Sequence, residues 1–181
     1  MLYRWLRDII RPSTTQSLVA LLFKSILNAV VFFAIFMIGL PWVAHQLLPR
    51  ALPLPASLRV LAGGALGLMG AAMWLTCLVS FSCYGKGTPF APDAPRYLVT
   101  RGLFSFTRNP IMAGELLVIW AEALYLASVG IVLYAVTISV IAHLLVVRVE
   151  EPELRDRFGA RYEEYCRQVP RWLPGVRWRR C

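Results

Sequence analysis

The longest apolar region of the chain is "IMAGELLVIWAEALYLASVGIVLYAVTISVIAHLLVV", residues 111–147. A helix crosses the hydrocarbon core of a bilayer with about 20 apolar residues, so this region is too long for one span and long enough for two short ones. Ser128-Val129-Gly130 offers a turn near its middle. One long tilted helix is the alternative, because an isolated glycine is well tolerated in membrane helices. The region therefore predicts either a helical hairpin or one long helix.

Two further apolar regions, Leu18–Val43 and Leu58–Phe81, are each long enough for one span. The chain of 181 residues is 58% hydrophobic and has a mean hydropathy of +0.60. A water-soluble domain of this length is nearer to half apolar, so the excess is expected to face lipid. The second region also contains small residues at a spacing that lets helices pack closely in lipid: Gly63, Gly64, Gly67 and Gly70.

The placement of basic residues distinguishes the hairpin from the single helix. Basic segments favour the cytoplasmic side of a membrane, and they precede the first region, separate the second from the third, and follow the third. Only Arg50 lies between the first two regions, and Arg59 lies at the start of the second. If both termini and a loop at 83–109 are cytoplasmic, an even number of crossings follows the loop, which requires the hairpin. We therefore predict one membrane-embedded domain over residues 1–181 with four spans, at 18–43, 58–82, 110–127 and 130–149.

The net charge of +9 comes largely from these predicted cytoplasmic segments. Membrane topology and attraction to anionic lipid headgroups explain it, and none of the familiar nucleic-acid-binding signatures appears. The four cysteines show no C-x-x-C pairing, and no histidine lies at ligand spacing from them, so neither a metal site nor a disulfide framework is predicted. We expect an integral protein of a bacterial inner membrane with both termini in the cytoplasm, and no nucleic-acid or metal partner.

The C-terminal segment predicts a further helix. Pro152 disfavours a helical conformation at Glu151 and suits the first turn of a new helix. The last membrane helix is therefore expected to end or kink near Glu150 and Glu151, and an amphipathic helix is expected at 152–169. Its apolar side chains recur at helical spacing: Leu154, Phe158, Tyr162, Tyr165 and Val169. The predicted fold class is all-α, an integral membrane bundle of four transmembrane helices with a cytoplasmic loop and a C-terminal amphipathic helix.

Four carboxylates lie at or within the predicted spans. Glu150 and Glu151 form an acidic pair where the chain is otherwise rich in arginine. The pair either forms ion pairs with arginines or supplies one carboxylate to a cationic or hydroxyl-rich ligand, and spacing alone leaves both interpretations open. The candidate ion-pair partners are Arg108, Arg148 and Arg155. Glu115 and Glu122 fall inside the third span, where ionisable groups mostly face the protein interior or a cavity.

Two blocks of sequence carry a resemblance to a known family. The first contains "GKGTPFAP" and "PRYLVTRGLFSFTRNPIMAG" within residues 85–114, and the second is "EEPELRDRFGARYEEYCRQVPRWLP" at 150–174. Together they resemble the isoprenylcysteine carboxyl methyltransferase and phospholipid methyltransferase superfamily. That family's pattern is roughly L-V-x-x-G-x-Y-x-x-x-R-H-P-x-Y-x-G, followed by E-E-x-x-L-x-x-x-F-G-x-x-Y-x-x-Y-x-x-x-V-P. The two blocks, in this order and separated by a helical hairpin, cover about half of the chain.

The resemblance implies an integral membrane enzyme that binds S-adenosyl-L-methionine at the cytoplasmic face and methylates a lipid or lipid-like acceptor through a carboxylate, amine or thiol. Arg148 and Glu151 are the candidate catalytic residues it implies, with Arg148 as a partner for the methyl acceptor. The positions it would place at the cofactor are Tyr97, Leu98, Val99, Phe104, Asn109, Pro110, Met112 and Glu150.

The chain departs from the family pattern at two places. The family's H-P-x-Y is N-P-I-M at 109–112, and Phe104 stands where the family has tyrosine. Asn109 can donate and accept hydrogen bonds but cannot act as a general base. An acceptor that is already a nucleophile mainly needs alignment with the methyl donor, so a carboxylate, thiolate or deprotonated amine fits best. The alternative function is a non-catalytic membrane protein that binds a lipid or a partner on the same scaffold.

Overall fold

The computed structural model describes residues 17–89 and 94–172, which contain helices and connecting loops and no β-strand. Three of the helices, α1, α2 and α4, are long and apolar enough to cross a membrane. The principal helices in chain order are α1, Leu18–Leu47; α2, Ala56–Gly85; α3, Pro110–Tyr125; α4, Val129–Phe158; and α5, Ala160–Gln168. The predicted all-helical class is confirmed.

Helix α3 differs in length from the other three apolar helices. It has 16 residues, which at 1.5 Å per residue gives about 24 Å. The hydrocarbon core of a bilayer is about 30 Å thick. Helices α1, α2 and α4 have 30 residues each. The three long helices therefore reach across a bilayer by length alone, whereas the fourth crossing predicted from charge placement stays a prediction.

The outer surface of α1 has the character of a lipid-facing helix. Val19, Phe23 and Leu47 are 76%, 66% and 80% exposed. Soluble proteins rarely expose large contiguous apolar patches, whereas in a bilayer exposed apolar side chains need no cover because lipid tails are themselves apolar. The exposure pattern therefore agrees with the hydropathy of the sequence.

The 111–147 region is a helical hairpin, as charge placement predicted. Helix α3 ends at Tyr125 and α4 begins at Val129. The Ser128 hydroxyl oxygen accepts a hydrogen bond from the amide of Ile131 at 3.3 Å, which is the contact made by a serine at a helix N-cap. The sequence therefore interrupts the apolar run with a residue that starts a new helix.

The turn of this hairpin is fixed to the segment that connects α1 and α2. The amide of Leu52 donates to the carbonyl of Ala127 at 2.6 Å, and the amide of Val129 donates to the carbonyl of Arg50 at 2.9 Å. Ala127 itself has a positive φ of 49°, which is uncommon for a residue with a Cβ. The two connecting segments therefore satisfy each other's backbone groups at the point where neither is helical.

Helix α4 continues through Pro152, so of the predicted end or kink near Glu151 the end is wrong and the kink stays a prediction. Residues Val146–Glu150 form a π-helical turn, in which the Glu151 amide donates to the Val146 carbonyl five residues earlier. A proline removes one i→i+4 donor from a helix, and bonds of i→i+5 spacing just before it change which carbonyls still need a donor. The wider turn therefore allows the helix to pass the proline and end at Phe158.

Gly159 divides the predicted 152–169 helix into the end of α4 and the separate helix α5. Its φ of 53° and ψ of −130° are incompatible with helix and favour glycine. The predicted apolar stripe nevertheless forms one contact group, in which Leu154 and Phe158 pack against buried side chains of and just beyond α5. We call these buried residues the α5 cluster: Tyr162, Tyr165 and Val169.

The described residues fall into two compact units. The first unit comprises the described parts of Met1–Asn28, Leu75–Pro110 and His143–Cys181, and the second comprises Ala29–Trp74 and Ile111–Ala142. Within the second unit α2 and α3 approach closely through glycine, since a Cβ on Gly70 would lie 2.6 Å from the Gly114 carbonyl oxygen. The glycines of α2 therefore include a packing contact of the small-residue kind that the sequence predicted.

Candidate functional site

The loop that follows α2 folds back on the end of that helix. The amides of Arg96 and Tyr97 donate to the carbonyl of Gly85 at 2.7 and 3.2 Å. Gly87 lies so close to Pro95 that a Cβ at position 87 would be 2.5 Å from the Pro95 Cα. The described part of the predicted loop is therefore a packed structure, and its backbone contact requires glycine at 87.

Two of the predicted cofactor residues are buried within this loop. Val99 and Phe104 are each 5% exposed. Leu98 packs against the α5 cluster, whereas Tyr97 is 56% exposed. The loop positions that the family resemblance selected therefore include three apolar side chains packed in the protein and one aromatic side chain accessible from outside.

The C-terminal segment holds the loop at two points. The Tyr165 hydroxyl donates to the Phe104 carbonyl at 2.6 Å. Burial raises the pKa of Tyr165, so the hydroxyl stays protonated and keeps its donor hydrogen. Arg157 donates to the Pro95 carbonyl and forms an ion pair with Glu153 at 2.7 Å. Loop and C-terminal segment therefore form one hydrogen-bonded assembly in the first unit.

Glu151 joins three segments of the first unit through one carboxylate. Its Oε1 lies 3.2 Å from Arg108 Nη1, and its two oxygens accept from Arg171 Nε and Nη2 at 2.6 and 2.9 Å. Glu151 is 5% exposed and Arg108 is 9% exposed, so the ion pairs are shielded from solvent. Both carboxylate oxygens are thus occupied by arginines, and one of these, Arg108, is a partner that the sequence proposed for the acidic pair.

Asn109 lies next to this ion-pair cluster and binds the same C-terminal segment. Its Nδ2 donates to the Arg171 carbonyl at 2.9 Å, and the Thr107 hydroxyl donates to the same carbonyl at 3.0 Å. The amide of Arg108 donates to the Pro170 carbonyl at 2.9 Å. Three consecutive residues before α3 are therefore hydrogen-bonded to the two residues that follow the α5 cluster.

Glu150 and Arg148 lie on the π-helical turn of α4. Glu150 is half-buried and Arg148 is exposed. Within residues 17–89 and 94–172 no hydrogen bond or ion pair engages either side chain. Of the two interpretations left open by the sequence, ion pairing therefore holds for Glu151, and a ligand contact by Glu150 stays a prediction.

Most of the predicted site residues are brought together in one unit. Met112 is the exception, because it is half-buried in α3 and belongs to the second unit. Pro110 is buried at the start of α3 and belongs to the first unit. The remaining predicted residues of the first unit are Tyr97, Leu98, Val99, Phe104, Asn109, Arg148, Glu150 and Glu151.

Two residues of this assembly were missed at the sequence level. Arg171 follows Val169 and Pro170 in the second block of the family resemblance, and that position was the available signal for it. Tyr165 was identified only as part of an apolar stripe, because the carbonyl that its hydroxyl binds is distant in sequence. No group of three or more His, Cys, Asp or Glu side chains in the described part of the chain could hold a metal ion.

Comparison with known proteins gives three similarities. Residues 58–161 match the family described as phospholipid methyltransferase. The chain is 30% identical over 140 residues to methanethiol S-methyltransferase 2 of Bradyrhizobium diazoefficiens, over 67% of this chain and 51% of that protein. Its fold is similar to that of the eukaryotic intramembrane Ras methyltransferase, isoprenylcysteine carboxyl methyltransferase, with a TM-score of 0.50, 16% identity, and coverage of 88% and 52% of the two chains. The chain thus spans about half the length of each of these proteins.

Proposed function

Since the chain belongs to the phospholipid methyltransferase family, we propose that it transfers a methyl group from S-adenosyl-L-methionine to a lipophilic or membrane-partitioned acceptor. The observation that carries this proposal is the half-buried carboxylate of Glu150, which has no partner among the described residues. It lies in the same unit as the packed loop and the ion-pair cluster. An unpaired carboxylate at a partly buried position is costly unless a ligand engages it.

The chemistry of the cofactor fits the residues present. S-adenosyl-L-methionine carries an ammonium group and ribose hydroxyls, which a carboxylate binds through charge-assisted hydrogen bonds, and we assign Glu150 to this contact. When bound, the cofactor would supply a methyl group already activated on a sulfonium. The proposed remaining contacts within the first unit are apolar, aromatic and amide side chains: Tyr97, Leu98, Val99, Phe104, Asn109 and Pro110.

Glu151, predicted as a catalytic residue, is better suited to positioning. Its carboxylate holds Arg171, and the carbonyl of that residue accepts from Asn109. It also lies at ion-pair distance from Arg108. We propose that Glu151 fixes Asn109 through Arg171, so that the Asn109 amide is presented to the cofactor in one orientation.

The class of methyl acceptor is inferred from two features of the proposed site: Asn109 is not a base, and Arg148 carries a positive charge. Asn109 cannot take a proton, and the guanidinium of Arg148 stays charged and can only donate. Arg148 is exposed, so it suits an acceptor that carries a negative charge. We therefore propose a carboxylate or thiolate as acceptor, with a deprotonated amine as the third class. The Bradyrhizobium relative is a methanethiol S-methyltransferase, which agrees with the thiolate option.

Equilibrium binding of S-adenosyl-L-methionine to the purified protein in dodecyl maltoside tests this function. We expect saturable binding by the wild type, and we expect Glu150→Gln to weaken it about tenfold or more, because a hydrogen bond to a charged group is lost. The matched control is Glu164→Gln, since Glu164 is exposed on α5 and pairs only with its neighbours Arg167 and Gln168. The control should bind like the wild type.

Absence of S-adenosyl-L-methionine binding at millimolar concentration would contradict the proposed function. Equal affinities of Glu150→Gln, Asn109→Ala and wild type would remove the assigned site. One observation supports the alternative, a non-catalytic binding protein: the side-chain amide of Asn109 donates to the Arg171 carbonyl and so serves a structural contact. Transfer of labelled methyl from the cofactor into thiol or lipid acceptors would exclude that alternative.

We also propose a four-span topology in a bacterial inner membrane, with both termini and the 83–109 loop in the cytoplasm. The support is the distribution of basic residues along the chain and the hairpin between α3 and α4. In this topology the segment between α1 and α2 faces the opposite side.

Labelling of cysteine with a membrane-impermeant maleimide checks the topology. Cys83 is an exposed free thiol at the end of α2, so we expect it to react only after the cells are opened. Arg50 is exposed in the connection between α1 and α2, and an Arg50→Cys variant in a background without Cys83 should react in intact cells. The reverse pattern would invert the proposed orientation, and labelling of both in intact cells would contradict a crossing of the membrane by α2 between them.

A further inference from the structure

The second unit contains a cavity of about 410 Å³. Residues of α1, α2, α3 and α4 line it, with α2 contributing glycines, and all but a few of the lining residues are apolar. The volume lies in the range of sites that bind small molecules. None of the residues proposed to bind cofactor or acceptor lines it. The lining residues include Met37, Trp42, His45, Gly67, Glu122 and Tyr125.

Glu122 is the acidic residue of this lining. Its side chain is half-buried and forms no hydrogen bond or ion pair with the part of the chain that the structure describes. The other carboxylate of α3, Glu115, is satisfied differently, because it accepts from Trp74 Nε1 at 3.2 Å. Carboxylates within membrane helices are rare and mostly face a cavity or a partner. Glu122 therefore faces a cavity without a protein group that compensates its charge.

The other polar groups of the cavity do not provide that compensation. His45 Nδ1 lies 2.8 Å from the Ser128 hydroxyl, which engages one of its ring nitrogens. Arg59 is not part of the lining and donates its Nε to the Tyr125 carbonyl at 3.0 Å. In the part of the chain that the structure describes, no lysine or arginine lines the cavity. Among the described residues the lining therefore offers Glu122 no cationic partner, and a cationic ligand would supply one.

Aromatic side chains at the cavity favour a particular kind of cation. Trp42 and Tyr125 are 61% and 51% exposed, so both rings are accessible to a molecule that enters. Aromatic faces attract ammonium ions, and pockets that combine them recognise quaternary ammonium groups. Glu122 also lies in the last turn of α3, and the carboxyl end of a helix favours a positive charge.

We infer that this cavity binds a lipophilic ammonium ion, with its nitrogen at Glu122 and its hydrocarbon part among the apolar side chains such as Met37. A phospholipid headgroup with the same ammonium group is disfavoured, because its phosphate would enter a cavity without a basic lining residue. The inference concerns a second site, independent of methyl transfer, and its test requires neither cofactor nor acceptor.

The test uses purified protein in dodecyl maltoside, a detergent without an ammonium group, and benzyltrimethylammonium as the probe. Binding is followed by calorimetry and by the fluorescence of Trp42, with Trp42→Phe identifying its signal. We expect saturable binding that Glu122→Gln weakens about tenfold or more. The matched control is Glu115→Gln on the same helix, which should bind within about twofold of wild type.

A comparison on the wild-type protein keeps the inference testable if Glu122→Gln fails to fold. Neopentylbenzene has the shape of the probe without its charge, and it should bind about tenfold more weakly or worse. Equal binding of the two compounds, unchanged affinity in Glu122→Gln, or no saturable binding at millimolar probe would each overturn the inference. Displacement of the probe by dihexanoylphosphatidylcholine at equal concentration would also overturn the inference, because it would identify a phospholipid headgroup as the ligand of the cavity.

Discussion

Replacement of Glu151 by glutamine is expected to destabilise the protein by about 3–5 kcal/mol, the usual cost of removing one partner from a buried ion pair. The variant keeps the size of the side chain and removes the charge that faces Arg108 and Arg171. Both cations would then remain in a site where Glu151 is 5% and Arg108 9% exposed. A chain of this size should lose about 10 °C of its thermal midpoint, which can be measured by thermal unfolding in dodecyl maltoside.

Two other charge neutralisations calibrate this result. Glu153 pairs with Arg157 at a less shielded position, with side chains 9% and 19% exposed, so Glu153→Gln should cost less than Glu151→Gln. Glu164 pairs with Arg167 at the surface, and such pairs contribute about 0–1 kcal/mol. Equal midpoints for all three variants would contradict the structural role of Glu151.

The same variant separates a reacting role of Glu151 from a positioning role. If Glu151 acts on the substrate, Glu151→Gln should abolish methyl transfer while the protein keeps its thermal midpoint. If it positions Asn109 through Arg171, the midpoint should fall, and both cofactor affinity and transfer should decline together. Paired measurement of midpoint and cofactor binding on one preparation decides between the two roles.

Replacement of Gly130 by alanine is expected to be the most disruptive single methyl addition in the second unit. A Cβ at this position would lie 2.2 Å from the Ala44 carbonyl oxygen and 3.1 Å from the Leu48 carbonyl oxygen. Both atoms belong to the backbone at the end of α1, so no side-chain rotation relieves the clash. Overpacking costs about 1–3 kcal/mol where neighbours can adjust, and we expect about 3 kcal/mol or more here, measured as a lower thermal midpoint.

Gly64→Ala is the matched control for Gly130→Ala. A Cβ on Gly64 meets nothing within 4 Å, and Gly64 is in α2, where alanine is preferred over glycine by about 1 kcal/mol. The control should therefore keep or raise the midpoint. Gly67 is intermediate, since its added Cβ would make an ordinary contact of 3.5 Å with Ala121. A midpoint of Gly130→Ala equal to that of Gly64→Ala would contradict the close approach of α4 and α1.

Much of the fold could be predicted because membrane helices are recognised by the length of their apolar segments and by the basic residues that flank them. The hairpin around Ser128 followed from the excess length of one apolar region combined with the distribution of arginines. The continuation of α4 past Glu151 could not be predicted in the same way, because proline propensity describes an α-helix and the chain forms a π-helical turn instead. The break at Gly159 depends on a single backbone angle that hydrophobic periodicity does not report.

The site was predicted in its residue types more than in its connections. The acidic pair and Asn109 were identified from motif positions, and the structure places them in one unit. Which carboxylate is paired was not accessible from spacing, because adjacent residues have the same candidate partners. Arg171 was missed because the contact depends on how the chain returns after α5, a tertiary event without a local signature.

The π-helical turn of α4 changes the direction in which the side chains after it point. An α-helix rotates about 100° per residue, so the additional residue held in the Val146–Glu150 turn offsets everything after it by that angle. The Glu151 side chain therefore points in a direction about 100° from the one that an uninterrupted α-helix would give it. This offset brings the Glu151 carboxylate to Arg108 and Arg171, so the wider turn contributes to the ion-pair cluster without ending the helix.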